Sequence, residues 1–236
     1  DDKFKQCVYN NIKNLNIEHR INKKTKNDGE LNMEWHNHMW PSVRYDHSKH
    51  NRLKFKFKDS DKITKNYSQA YQDMFVLSML DGKKNGTYLE IGSAEPFFNN
   101  NTALLEMEFG WKGISLDISQ KLVDEFNEER DNLVLCKDAI SVDYNDILKE
   151  IEGNNIDYLQ IDCDPPEVSY NILLKIPFNK YRFAVITFEH DCYAEDEIIR
   201  DKSRDFLKSF GYILIADNIS PDDNSPFEDW WVHPDL

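Results

Sequence analysis

Six apolar runs in the 236-residue chain end in polar, mostly acidic residues: Glu90 with Gly92, Asp117, Asp138, Asp162 with Asp164, Glu189 with His190, and Asp217 with Asn218. Carboxylates in such positions can accept hydrogen bonds from hydroxyl and amino groups, hold hard cations, or take up a proton. Gly92 directly follows the run Thr87 to Ile91 and lets the backbone approach a ligand with no Cβ in the way. The dinucleotide fingerprint G-x-G-x-x-G is absent, because Ala94 and Phe97 stand where its later glycines would be, so a pyrophosphate cradle is not expected. Asp117 lies 25 residues beyond Gly92, near the ~20-residue offset at which an acid accepts hydrogen bonds from ribose hydroxyls. An adenosine ribose is the expected guest, with helix capping by Asp117 or Ser119 as the plainer alternative. Asp138 and Ala139 could lie beside an adenine ring, the small alanine leaving room for it.

These residues need a frame that brings strand ends together. From Tyr67 onward, short β-rich runs alternate with helical stripes. Strands are predicted at Thr87–Ile91, Gly113–Ile118, Asn132–Cys136, Ile156–Ile161, Phe183–Phe188 and Tyr212–Ala216. Helices are predicted around residues 70–80, from Asn101 to Phe109 with Gly110 as stop signal, and at Gln120–Glu129, Asn145–Ile151, Glu167–Leu174 and Glu195–Phe210. Strands alternating with helices at crossover spacing require a mostly parallel, doubly wound α/β sheet with helices on both faces. Ligands of such sheets bind beyond the carboxyl ends of the strands, where the acids lie.

Composition narrows the function classes. Hydrophobic residues make up 40% and charged residues 31% of the chain, enough for one full core and inconsistent with a collagen-like or wholly disordered chain. No run approaches the ~18 apolar residues of a membrane span, and Asp1 to Gln6 lack the apolar stretch of a signal peptide. Residues 1–66, rich in Asn, Lys and His, carry 15 basic against 9 acidic residues, whereas residues 67–236 carry 14 against 34, a net charge of −20. That acidic body repels phosphates, so nucleic acid is not an expected partner. The boundary between an N-terminal extension, 1–66, and a folded domain, 67–236, is set at this shift. Cys7, Cys136, Cys163 and Cys192 show no C-x-x-C spacing and are read as reduced thiols of a cytoplasmic protein. The N-x-S/T triplets at Asn66, Asn100 and Asn218 are ascribed to chance. In the extension, a short helix is expected near Phe4 to Leu15, and His36, His38, His47 and His50 cluster among aromatics without a metal-ligand spacing. The terminal Phe227, Trp230 and Trp231 suggest core or homodimer packing.

Four segments carry a family resemblance: Ser68–Gln69–Ala70–Tyr71–Gln72–Asp73; Tyr88 to Ser93 with Asn101 and Thr102; Gly110–Trp111–Lys112–Gly113; and Ile156 to Glu167. In order and spacing they resemble the FkbM family of S-adenosylmethionine-dependent methyltransferases, whose pattern reads approximately SQ-x-x-QD, E-I-G-A, GW-x-G and I-D-x-E-G-x-E. The last becomes Ile161–Asp162–Cys163–Asp164–Pro165–Pro166–Glu167 here, with Asp for Glu and Pro for Gly. The resemblance spans about residues 67–236 and implies a seven-stranded class I methyltransferase sheet of order 3-2-1-4-5-7-6, its seventh strand near Trp230 to His233. It implies that Glu90 and Gly92 line the methionine part of the cofactor, Asp117 the ribose, and Asp138 and Ala139 the adenine, with Ser93 and Ile118 also in the cofactor pocket. Ser68 and Gln69 would close the pocket, and Asp162 would border it.

The same resemblance implies methyl transfer to an oxygen of a sugar or glycan. A sugar hydroxyl is a poor acid, so a general base or a divalent metal is required. Asp162 and Glu189 are 27 residues apart at strand ends expected to be adjacent, and with His190 they are the expected ligands of Mg²⁺ or Mn²⁺. His190, Asp162 and Asp164 are the expected catalytic groups, His190 as base or third ligand. Two other readings stay open. Asp162–Cys163–Asp164 matches the D-x-D handle of metal-dependent glycosyltransferases, without the glycines and basic residues expected around a sugar diphosphate, and the domain could be an inactive binding module.

Overall fold

The computed structural model describes residues 57, 59–63, 65, 67–194, 197–219 and 225–235. The helix expected near Phe4 to Leu15 and the four histidines of the extension lie outside the described residues. Runs of branched and aromatic residues form strands because such side chains fill a pleated, buried surface. They are β1 (Thr87–Ile91), β2 (Lys112–Asp117), β3 (Leu133–Cys136), β4 (Asn155–Ile161), β5 (Arg182–Glu189), β6 (Ile213–Ile219) and β7 (Glu228–Val232). Between and before them lie α1 (Gln72–Met79), α2 (Ala103–Phe109), α3 (Gln120–Glu129), α4 (Tyr144–Leu148), α5 (Pro166–Leu173) and α6 (Ile198–Ser209).

The strands form one seven-stranded sheet in the order β3-β2-β1-β4-β5-β7-β6. Strands β1 to β5 pair in parallel, and β7 enters antiparallel between β5 and β6. This is the class I methyltransferase plan. The order reverses between β1 and β4, so the crevice for a ligand opens at their carboxyl ends. Entry of β7 from the opposite direction sets its first residue, Glu228, abreast of the last residue of β5, Glu189.

Period-two alternation divides the core between two faces. Tyr88, Tyr158 and Trp230 face the layer of α1, where Phe75 and Trp230 stack with ring centroids 4.7 Å apart. Their neighbours Leu89, Leu159 and Trp231 face Leu148, Ile172, Leu173 and Leu207 on the other side. Both tryptophans are fully buried in the chain's own core. Every residue of α1 is buried; Phe57 and Ile63, upstream of Tyr67, pack on the same cluster.

Several expected elements shift: the helix expected at Asn145–Ile151 runs Tyr144–Leu148, and the seventh strand expected near Trp230 to His233 runs Glu228–Val232. The helix expected from Glu195 begins at Ile198. The last parallel-side strand runs to Ile219 instead of ending at Ala216, because Asp217 and Asn218 continue past two irregularities in the pairing with β7. Asn218 sits at a φ of 54° and gives its N–H to Asp229 on that strand. Polar residues thus sit within a strand that their side chains seemed to end.

Candidate functional site

The loop after β1 is built around Gly92. Its φ is +82°, and a Cβ there would stand 1.7 Å from the carbonyl oxygen of Asp162, the residue that follows β4. Close approach of β4 at the switch point therefore requires glycine. The next residue, Ser93, is 3% exposed, and Asn101, at the far end of the same loop, is also 3% exposed. Ser93 Oγ and Asn101 Oδ1 are buried without a hydrogen-bond partner among the described residues. Native chains seldom leave such atoms unpaired unless something else completes them.

Asp117 ends β2 as expected, and its carboxylate is already partly used. Oδ2 accepts the Ala94 N–H at 2.9 Å and Oδ1 the Ser119 N–H at 2.8 Å. Each oxygen keeps a second lone pair. Ile118 beside it is 75% exposed, an apolar side chain standing open at the crevice rim. Asp138 after β3 is exposed; its carboxylate accepts the Ser141 hydroxyl and the Ile140 N–H, which hold its pKa below the usual carboxylate range. The Ala139 carbonyl accepts the Tyr144 hydroxyl at 2.8 Å. Glu90 is buried under this loop, accepting the Ser115 hydroxyl at 2.6 Å and the Thr102 hydroxyl at 3.0 Å. Burial pushes its carboxyl up to about 7, against the pull of Arg130. It braces the loop from beneath.

One of the expected pocket residues, Ser68, has a structural duty. Ser68 Oγ accepts the Asp73 N–H, and Asp73 Oδ2 accepts the N–H groups of Tyr67 and Ser68, a reciprocal cap at the start of α1. Gln72 continues the link by donating from Nε2 to Glu228 at 2.9 Å. The SQ-x-x-QD segment is thereby tied to β7, with Gln69 half-buried in it. Likewise, Gly110 ends α2 in the left-handed region and Trp111 donates from its indole to the Lys83 carbonyl at 2.7 Å.

The acids after β4 and β5 do meet. Asp162 and Glu189 share a hydrogen bond between their carboxyl groups; burial raises both, and the neighbouring carboxylate adds to the rise of Glu189. One oxygen from each of Asp164, Glu189 and Asp191 lies within 4.8 Å of the others, a donor set suited to a hard divalent cation. Asp191 was missed as a site residue, although it stands two places beyond Glu189, because His190 between them drew the chemical reading. Cys163 lies between the two acids of the D-x-D, and burial with the surrounding carboxylates pushes its thiol up to about 12. It stays protonated and is no nucleophile.

His190 stands apart from this acidic group. Its side chain is 0% exposed, Nδ1 accepts the Cys192 N–H at 3.3 Å, and Nε2 lies 3.5 Å from Asp229. With Nδ1 accepting from backbone and Nε2 turned to β7, neither ring nitrogen faces the acidic cluster. His190 is the first residue past β5, and its own N–H is held by the Phe227 carbonyl at 2.7 Å. Asp229, paired with Arg204 at 2.7 Å and 2.8 Å and held below the usual carboxylate range by that guanidinium despite burial, anchors the histidine. Asp217 accepts from the Asn218 amide.

No protein-family model matches the chain, and no curated protein matches it. Solved structures of similar fold include a TehB-like SAM-dependent methyltransferase from Corynebacterium glutamicum, 14% identical, covering 69% of this chain and 88% of that one with a TM-score of 0.44. An rRNA methylase from Streptococcus thermophilus is 10% identical, covering 70% and 95%, with a TM-score of 0.46. Aeropyrum pernix fibrillarin with natively bound S-adenosyl-L-methionine is 12% identical, covering 64% and 67%, with a TM-score of 0.44.

Proposed function

We propose that the chain transfers a methyl group from S-adenosylmethionine to an oxygen, with a sugar or glycan hydroxyl as acceptor. The observation that carries this reading is the pair of buried, unpartnered atoms, Ser93 Oγ and Asn101 Oδ1, on the loop at the switch point of the sheet. A serine hydroxyl can donate to a carboxylate and an amide oxygen can accept from an ammonium, so the pair fits the amino-acid end of the cofactor. Asp117 retains lone pairs for ribose hydroxyls, and exposed Ile118 offers an apolar edge to an adenine.

When bound, the cofactor supplies an electrophilic methyl group: a carbon–oxygen bond forms to the acceptor as the carbon–sulfur bond breaks, leaving S-adenosylhomocysteine and one proton. With no cation held there, Asp164, exposed at the rim of the crevice, takes that proton. A divalent ion held by Asp164, Glu189 and Asp191 would lower the cost of ionising a hydroxyl. The sugar acceptor rests on the FkbM resemblance around Asp162 and on charge, since an acidic body disfavours a polyphosphate such as RNA.

Calorimetric titration with S-adenosylhomocysteine, with and without Mn²⁺, tests the cofactor. Micromolar binding supports the reading; no binding in either condition overturns it. Transfer of labelled methyl to neutral oligosaccharides and not to RNA would support the acceptor class, and the reverse would refute it.

A further inference from the structure

We infer that Arg130 is a positioning residue for the amino-acid end of the cofactor, an inference that rests on the methyltransferase reading above. Arg130 follows the last residue of α3, a helix that begins just beyond Asp117, and its guanidinium turns back beneath the loop after β1. It is 7% exposed. Nη1 donates to Asn100 Oδ1 at 2.8 Å and to the Pro96 carbonyl at 3.2 Å, while Nη2 donates to Thr102 Oγ1 at 3.0 Å. Nε and Nη2 also grip Glu106 of α2, at 2.9 Å and 2.5 Å, and the guanidinium lies 4.3 Å over the Phe126 ring.

Asn100 relays this grip to both ends of the loop. Its Nδ2 donates to the Ser93 carbonyl at 3.1 Å, and its Oδ1 accepts the N–H groups of Thr102 and Ala103 at 3.0 Å and 2.8 Å. Of the two loop residues with unpartnered atoms, Ser93 is held by this amide directly and Asn101 through the adjoining Thr102 and Ala103, and the amide is held by one guanidinium. A planar fork with five donors spans Asn100, Pro96, Thr102 and Glu106 together; an ammonium on a flexible stem cannot reach them in the same geometry. Asp117, through Ala94, fixes the adjoining stretch independently. Arg130 thus governs where the amino-acid end binds and leaves the adenosine side to Asp117.

The experiment compares two ligands on the full chain: S-adenosylhomocysteine, and 5′-methylthioadenosine, which lacks the amino-acid end. Arg130→Lys should weaken S-adenosylhomocysteine binding at least about tenfold and leave methylthioadenosine binding within about twofold. Should Arg130→Lys fail to fold, Asn100→Asp retains a partner for Arg130 while removing the donor to Ser93, and the same selective loss is expected. Peptides covering 92–103 should also exchange amide hydrogen faster in either variant. Equal loss of both ligands, or wild-type affinity for S-adenosylhomocysteine, overturns the positioning role. Failure of the wild-type chain to bind either ligand overturns the methyltransferase reading, and the inference with it.

Discussion

The carboxyl groups of Asp162 and Glu189 share a hydrogen bond across the ends of two neighbouring parallel strands. Register makes this meeting unavoidable: Ile161 pairs with Phe188, so the residues that follow them stand abreast. Two half-buried carboxylates in contact cannot both ionise cheaply, and the pair retains a proton that belongs to both. Asp162→Asn keeps a hydrogen-bonding group of the same shape. It is expected to lower methyl transfer about a hundredfold while leaving the fold intact, read by initial rates and thermal melting; undiminished turnover would remove the pair from the reaction.

Cation binding should follow the acids and ignore the histidine. Asp164→Asn and Asp191→Asn are each expected to weaken Mn²⁺ binding about tenfold or more, because each removes a charged oxygen from a three-carboxylate set. His190→Gln should leave Mn²⁺ affinity within about twofold yet lower the melting temperature through lost packing against Asp229. Calorimetric titration of the three variants checks the assignment, and a loss confined to His190→Gln would reinstate the histidine.

Glu90 and Glu228 predict how stability varies with pH. Burial raises them to about 7 and about 8, above the ordinary glutamate value that the unfolded chain retains. Between that lower value and the folded one, the folded state binds more protons, so stability falls as pH rises. Above about 8 the loss is complete, and below the unfolded value there is none. Glu90→Gln should flatten the part of the slope that ends near pH 7. Melting temperatures of variant and wild type from pH 4 to 9 test this, and parallel curves would refute it.

Gly92→Ala is expected to destabilise the chain by more than about 2 kcal/mol. The added methyl group would collide with the Asp162 carbonyl at 1.7 Å, and the φ of +82° disfavours any side chain. Urea unfolding measures the loss. A near-neutral result would show that β1 and β4 can separate at the switch point.

Much of the fold was legible because its signals are local. Gly110 after Phe109, the alternation of Tyr88 with Leu89 and of Trp230 with Trp231, and acids closing apolar runs all follow from residue type and spacing. Gly92, Asp117 and the meeting of strand-end acids at Asp162 and Glu189 could be picked out for the same reason. The sequence by itself determined which residues stand at the carboxyl edge of the sheet. Only the tertiary structure decided which of them face one another: it turned His190 toward Asp229, brought Asp191 to Asp164, bound Ser68 to Asp73, and carried Arg130 under the loop after β1. Those pairings join positions on different elements, and they depend on side-chain direction and on strand order, which spacing along the chain does not encode.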